Sequence, residues 1–279
     1  MMKSIAMLLL CLAWLFPSVQ AIADSASDEA IKRYDIGYYH PERFGLRDLT
    51  FEVRVDGLTE KLNQQLIFGK LSDVFFKVYW MQDETGAIQS KVLVIGMPNG
   101  FEEMKKGLKQ MVTDRLDYVV PKMLAESIKE CSTTYSPASY GGFITCIDKT
   151  HQKQIDRMEL YFDKAGRMTR YVTVSPVGKT DTTMQMSAKA WSNNKWVLES
   201  MKIKQYQGIQ STITDYLFNY EKVELFGFPK SIVVKTAQYL IKPTEKNQEQ
   251  LMRETETALR FSNYVINKGQ AKSAIISKP

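Results

Sequence analysis

The chain has 279 residues, of which 44% are hydrophobic and 24% charged, and a formal net charge of +6. Neither a repeat nor a low-complexity segment is present, and no stretch after the first twenty-odd residues approaches 18 consecutive apolar positions, so a fibrous chain and a helical membrane protein are both excluded. The mild positive excess suits peripheral contact with acidic lipid headgroups, or simply a basic soluble protein; without an arginine-rich cluster or a recognisable nucleic-acid module it excludes nucleic acid as a partner.

Residues 1–21 read as a secretion signal. Lys3 supplies the positive start, and Ile5 to Phe16 is an apolar run too short to span a bilayer comfortably. Pro17-Ser18-Val19-Gln20-Ala21 has the small residues of a cleavage site; cleavage after Ala23 and retention as a short anchor are the alternatives. Cys11 lies inside the apolar run without the small residues of a lipobox. Removal of 21 residues leaves 258, read as one exported, periplasmic domain over 22–279.

The next segment, 24–45, is polar and then rich in tyrosine (Tyr34, Tyr38, Tyr39), with a short helix starting near Ser27 and ended by His40-Pro41. Leu49, Phe51, Val53 and Val55 alternate with Thr50, Glu52, Arg54 and Asp56, the period of a half-buried strand. Leu58, Leu62 and Leu66 are spaced as one face of a short helix. Val74–Met81 is a strand with Phe76, Val78 and Trp80 on one side, and Asp83-Glu84-Thr85-Gly86 turns the chain into Ile88–Ile95, whose apolar Val92–Ile95 run predicts a strand covered on both faces.

The longest helix is predicted after Met97-Pro98-Asn99-Gly100, with Asn99 as N-cap and Glu102 and Glu103 in its first turn. Its apolar stripe includes Phe101, Met104, Leu108, Met111, Val112, Leu116, Val119, Val120, Met123 and Leu124. Pro121 must kink this helix or divide it. The stripe is either ordinary core or a lid, and its methionines suit a lid that repacks around varied apolar shapes.

Two cysteines follow, Cys131 and Cys146. In an exported chain such a pair is expected to form a disulfide, here from the end of the long helix to a strand over 142–148; two buried thiols are the alternative. Residues 132–142 read as a loop or irregular edge strand. From Gln154 to Ile241 the chain is a meander: Met158, Leu160 and Phe162 on one face, turns at Asp163–Gly166, Ser175–Gly178 and Ser192–Lys195, a face shared by Met184, Met186, Ala188 and Ala190, then strands Trp196–Gln205, Ile213–Leu225 and Ser231–Ile241. A helix opening at Pro243 and carrying Lys246, Glu249, Arg253 and Glu256 is expected next, then a last strand Leu259–Ile266 and a loosely held tail from Lys268. The fold class is therefore α+β and mainly β: an antiparallel sheet, curled because strands twist, with a concave apolar face under one long kinked helix and shorter helices.

Catalytic signatures are scarce. His40 and His151 have no metal-ligand spacing, there is no nucleophile elbow or phosphate loop, and the carboxylates are scattered, so neither catalysis, a metal nor a cofactor is expected. The aromatic residues carry more. Trp80, Trp191 and Trp196 lie on predicted strands, and Tyr216, Phe218 and Tyr220 share a face; they fill a core or line a cavity. The candidate ligand-binding set is Phe51, Val53, Phe76, Val78, Trp80, Met104, Leu108, Met111, Met184, Met186, Trp196 and Phe218.

One ending is sharper than the rest: Gly227-Phe228-Pro229-Lys230-Ser231-Ile232-Val233-Val234, an insertion, then Leu259-Arg260-Phe261-Ser262-Asn263-Tyr264-Val265-Ile266-Asn267. With the signal, the early strand, the meander and the helical cover, it resembles the periplasmic outer-membrane lipoprotein carrier family (LolA-like, with related lipoprotein-sorting proteins). The resemblance implies an unclosed β-barrel plugged by helices, lipid or acylated lipoprotein cargo, and a delivery partner in the inner or outer membrane. This chain departs from that pattern in its length, its cysteine pair and its insertion near Gln248. The alternative is a non-catalytic envelope adaptor that binds a protein partner through sheet edges or the tyrosine-rich N-terminal arm.

Overall fold

The computed structural model describes residues 18–67, 69–148, 155–242 and 248–276. His151, Lys246 and most of the predicted signal lie outside them. The protein is mainly β, with 53% strand and 23% helix. Its twelve antiparallel strands form one sheet that is not closed into a barrel, in the order β3-β2-β1-β12-β11-β10-β9-β8-β7-β6-β5-β4. The chain forms two compact units, one of residues 1–38 and 124–183, the other of residues 39–123 and 184–279.

The first unit contains α1 (Ser18–Gly37), α4 (Leu124–Ser127), β4 (Cys131–Ala138), β5 (Gly141–Asp148), β6 (Arg157–Asp163), β7 (Met168–Ser175) and the first half of β8 (Gly178–Ala188). The tyrosine-rich segment is part of α1, the longest helix: Tyr34 is buried, stacked on Tyr38 at 5.4 Å and edge-on to Phe162 at 6.0 Å. Asp35 caps α4, its carboxylate accepting the N–H groups of Leu124 (2.7 Å) and Ala125 (3.1 Å). The segment 132–142, read as a loop or irregular edge strand, is the edge strand β4, in unbroken register with β5, and the turn after it. That register does not support the expected disulfide: Cys131 faces Asp148 and Cys146 faces Thr133. Such diagonal positions are about 7–8 Å apart, beyond the Cα separation a disulfide spans.

The second unit holds β1 (Asp48–Val55), α2 (Leu58–Gln65), β2 (Phe75–Gln82), β3 (Ile88–Ile95), α3 (Glu102–Thr113), the rest of β8, β9 (Trp196–Gln207), β10 (Gln210–Val223), β11 (Phe226–Lys242), β12 (Gln248–Ile266) and α5 (Gln270–Ile276). Alternation gives β1 and β2 their inner faces: Phe51, Val53, Phe76, Val78 and Trp80 are all buried. Four expectations need correction. The long kinked helix is not present: α3 ends at Thr113, a 3-10 turn covers Leu116–Tyr118, and Pro121 stands in an extended link before α4, where its missing N–H breaks no helix. Phe101, not Asn99, is the N-cap of α3, and its side chain makes no cap bond. The helix expected to open at Pro243 is, from Gln248, the 19-residue strand β12; its charges face neighbours across the sheet, Glu256 opposite Lys235 and Arg253 opposite Gln238. The apolar β3 is an edge strand with Ile95 exposed.

The tail is not loose. Asn267, at φ 53°, accepts the N–H groups of Arg47 (2.8 Å) and Asp48 (3.1 Å) and donates to Gly45 O (2.9 Å). Asp48 in turn accepts Lys272 N–H at 2.8 Å, and Ala271 is fully buried. Both halves of the motif that carries the family resemblance meet here: Tyr264 donates its hydroxyl to Pro229 O (2.6 Å) and stacks on Phe228 at 4.8 Å.

Candidate functional site: an apolar sheet face under a short helix

The inner face of the second unit is one apolar cluster. β1 and β2 contribute Phe51, Val53, Phe76, Val78 and Trp80, β9 and β10 contribute Leu198, Met201 and Phe218, and β11 and β12 contribute Ile232, Leu259 and Phe261. Val112, Leu116, Val119 and Val120 close over it, with Leu108, Met111, Met184 and Met186 half-buried against it. The structure therefore brings together ten of the twelve predicted site residues. Met104 packs instead in a neighbouring cluster with Leu62, Leu71, Val74 and Met97. Trp196, at the start of β9, joins neither; the tryptophan that matters nearby is Trp191, in a 3-10 turn, edge-on to Tyr39 at 5.3 Å and tilted on Tyr220 at 5.5 Å. It was expected on a strand, and the 3-10 turn over Ala190–Ser192 corrects that. Its place is set by Gly227, which has no Cβ: one built there would lie 2.1 Å from the indole ring.

The cover is attached by apolar contact. Among the described residues the side-chain hydrogen bonds of residues 102–115 stay within that segment: Lys105 to Glu102 (2.9 Å), Gln110 to Asp114 (2.6 Å), Thr113 to Lys109 O (2.9 Å) and Arg115 to Met111 O (2.6 Å); beyond it Arg43 donates to Met123 Sδ at 3.8 Å. Its far end is fastened to the loop before β1, where the buried His40 lies 3.1 Å from Pro121 O through Nδ1. A helix held this way leaves no broken polar bond on the sheet when it lifts, unlike a strand or a capped helix.

The same inner face changes character along the strands. Beyond Met201, Tyr216 and Val234 come cross-strand rows of Ile203, Thr214, Thr236 and Thr255, then Gln205, Thr212, Gln238 and Arg253. The hydroxyls of Thr214 and Thr236 are 3.3 Å apart. One continuous surface is thus apolar under α3 and polar past it. Burial raises the Tyr264 phenol well above its ordinary pKa and pushes Tyr39 up to about 12, so both are neutral at physiological pH.

Two open clefts lie elsewhere. One, of about 380 Å³ in the first unit, is lined by Arg33, Tyr135, Phe162 and Gly166 among others; the other, of about 910 Å³ in the second, is bounded by Arg47, Asp48, Gln82, Gln89 and Lys272. Among the described residues no three His, Cys, Asp or Glu side chains are grouped to hold a metal ion, and no helix is long and apolar enough to cross a membrane. No known protein family, curated protein or solved structure matches the chain.

Proposed function

We propose that the protein is a non-catalytic, exported carrier that holds the acyl chain of a lipid or acylated lipoprotein on the inner face of its second unit, beneath a displaceable α3. The observation that carries this reading is the attachment of α3 by apolar side chains alone. Burial of Val112 and Leu116 is worth about 1.5–3 kcal/mol each, and of the half-buried Leu108 and Met111 about half as much, roughly 5–9 in all, while an acyl chain of a dozen to sixteen carbons offers roughly 0.8 kcal/mol per methylene, about 10–13. The two are close enough for one to replace the other without a large penalty. Past the helix, the Thr and Gln rows give the polar head of an amphiphile hydroxyl and amide partners on the same surface. Lys3, the apolar run after it and Ala21 support an export signal, and the ending from Gly227 to Asn267 supports kinship with lipoprotein carriers and a role in envelope lipid or lipoprotein sorting.

Native mass spectrometry of the protein purified from the periplasm of its own host, followed by lipid extraction, tests this. The expected result is a population heavier than the chain that releases a lipid or acylated peptide. A chain with no added mass, and no uptake when lysophospholipid micelles are offered, would overturn it and leave the exposed edge strands β3 and β4, as docking sites for a protein partner, the better account.

A further inference from the structure

The outer face of β9 to β12 carries a pattern that the proposed carrier function does not use. Reading across the four strands, Ser200, Leu217, Val233 and Ala258 form one row, and Lys202, Asp215, Lys235 and Glu256 the next. Then come Lys204, Ile213, Ala237 and Glu254, and last Tyr206, Ser211, Tyr239 and Leu251. Apolar rows thus bracket charged ones on a surface where Leu217, Leu251 and Tyr206 are 53%, 50% and 37% exposed. Ser211, only 2% exposed, sits in its row between Tyr206 and Tyr239. Ile209 adds to the apolar end, hydrogen-bonded through its carbonyl to Ile241 N–H at 2.7 Å.

The order of signs is specific. A two-fold axis parallel to the strands, between β10 and β11, lays β10 on the β11 of a second copy and β9 on its β12. Every row then meets itself reversed. Lys202 faces Glu256, Asp215 faces Lys235 and Lys204 faces Glu254, so all the charges of the two mixed rows meet opposite signs. Leu217 faces Val233, Ile213 faces Ala237 and Tyr206 faces Leu251. Within one chain Lys202 and Asp215 are 3.3 Å apart and Lys235 and Glu254 2.7 Å apart, so the charges are already held in the positions the partner would meet. Self-complementarity of this kind is what an isologous interface requires.

We infer that the outer face of β9–β12 is the interface of a two-fold dimer of this chain, formed sheet face to sheet face. From strand spacing and rise, the four rows give a footprint on the order of 500 Å² per copy, at the lower limit of specific interfaces, so the dimer is weak and concentration-dependent. The face is opposite to the one under α3, so the inference stands or falls separately from the carrier reading.

Sedimentation velocity of the purified protein, from micromolar to submillimolar concentration at low salt, tests it by charge exchange. Wild type is expected to shift from monomer to dimer across the series, and to shift back in high salt. Asp215→Lys sets two lysines against each other at two symmetric places, and Lys235→Glu sets two carboxylates; each is expected to weaken association at least about tenfold. Mixing the two variants restores opposite signs at both places, so the mixture is expected to dimerise where neither variant does alone. Both substitutions are on exposed side chains, and an unchanged thermal melt shows that the fold is intact. A monomer throughout, single variants as dimeric as wild type, or a mixture no more associated than its components would each overturn the interface.

Discussion

Single residues decide several close approaches in the second unit. Gly227 is there for the indole of Trp191, and its N–H is also donated to the Tyr39 hydroxyl at 3.2 Å. Gly227→Ala should cost about 1–3 kcal/mol in urea unfolding through overpacking. Combined with Trp191→Leu it should cost less than the sum of the two changes, since the clash is then relieved. Asn267→Ala removes two acceptor bonds and one donor bond at a left-handed residue, and about 2–3 kcal/mol should be lost; Asn267→Gly, which keeps the backbone conformation, should lose less. The buried tyrosines set an alkaline limit. Tyr39 is pushed from an ordinary value near 10 up to about 12, and Tyr34 and Tyr264 are raised well above 10, all chiefly by burial. Because the folded value is the higher one, this stability is complete below pH 10 and disappears as pH rises towards 12. For Tyr39 alone it amounts to about 2–3 kcal/mol. Unfolding free energies measured from pH 9 to 12 should fall accordingly, and Tyr39→Phe should make the fall shallower.

Among the elements, α3 is held to the sheet by apolar contacts, and its amides should exchange hydrogen faster than those of β11 and β12, which have strands on both sides. Leu108→Asp, at a half-buried position on its underside, should speed that exchange further and raise dye binding to the apolar face, with the β11–β12 amides unchanged. How far the sequence shows these elements follows from what holds each one. β1 and β2 were legible because Leu49, Phe51, Val53, Phe76, Val78 and Trp80 are buried at every second position, and β10 through Tyr216, Phe218 and Tyr220 on one face. Of β12 only the predicted last strand Leu259–Ile266 was legible, because the half before it is charged and exposed. Glu249, Arg253 and Glu256 at spacings of three and four imitate a helix surface, and only the facing Lys235 and Gln238, distant in sequence, show the strand. The apolar stripe after residue 101 was legible as a cover, but not its division. Val119 and Val120 are buried from an irregular segment, and periodicity cannot tell a buried link from a buried helix. Most of the candidate residues nevertheless pack in one cluster, because burial, and not helix length, brings them together.

At the scale of the molecule, the sheet order puts the last strand in the middle. β12 lies between β1 and β11, hydrogen-bonded to both, so Val53 of the first strand is opposite Phe261 of the last. A chain ending at residue 247 should therefore keep the hairpins β4–β7 but lose the cooperative unfolding of the second unit, which circular dichroism and tryptophan fluorescence would report, since Trp80, Trp191 and Trp196 all belong to that unit. The order also has a consequence in time. A polypeptide that emerges from its N-terminus forward presents β1, β2 and β3 early, with the pairing edge of β1 vacant until some two hundred further residues have followed. Closure of such a distant pairing is slow. Over that interval the nascent chain has an adhesive edge and uncovered phenylalanines, so its earliest need is for a holdase.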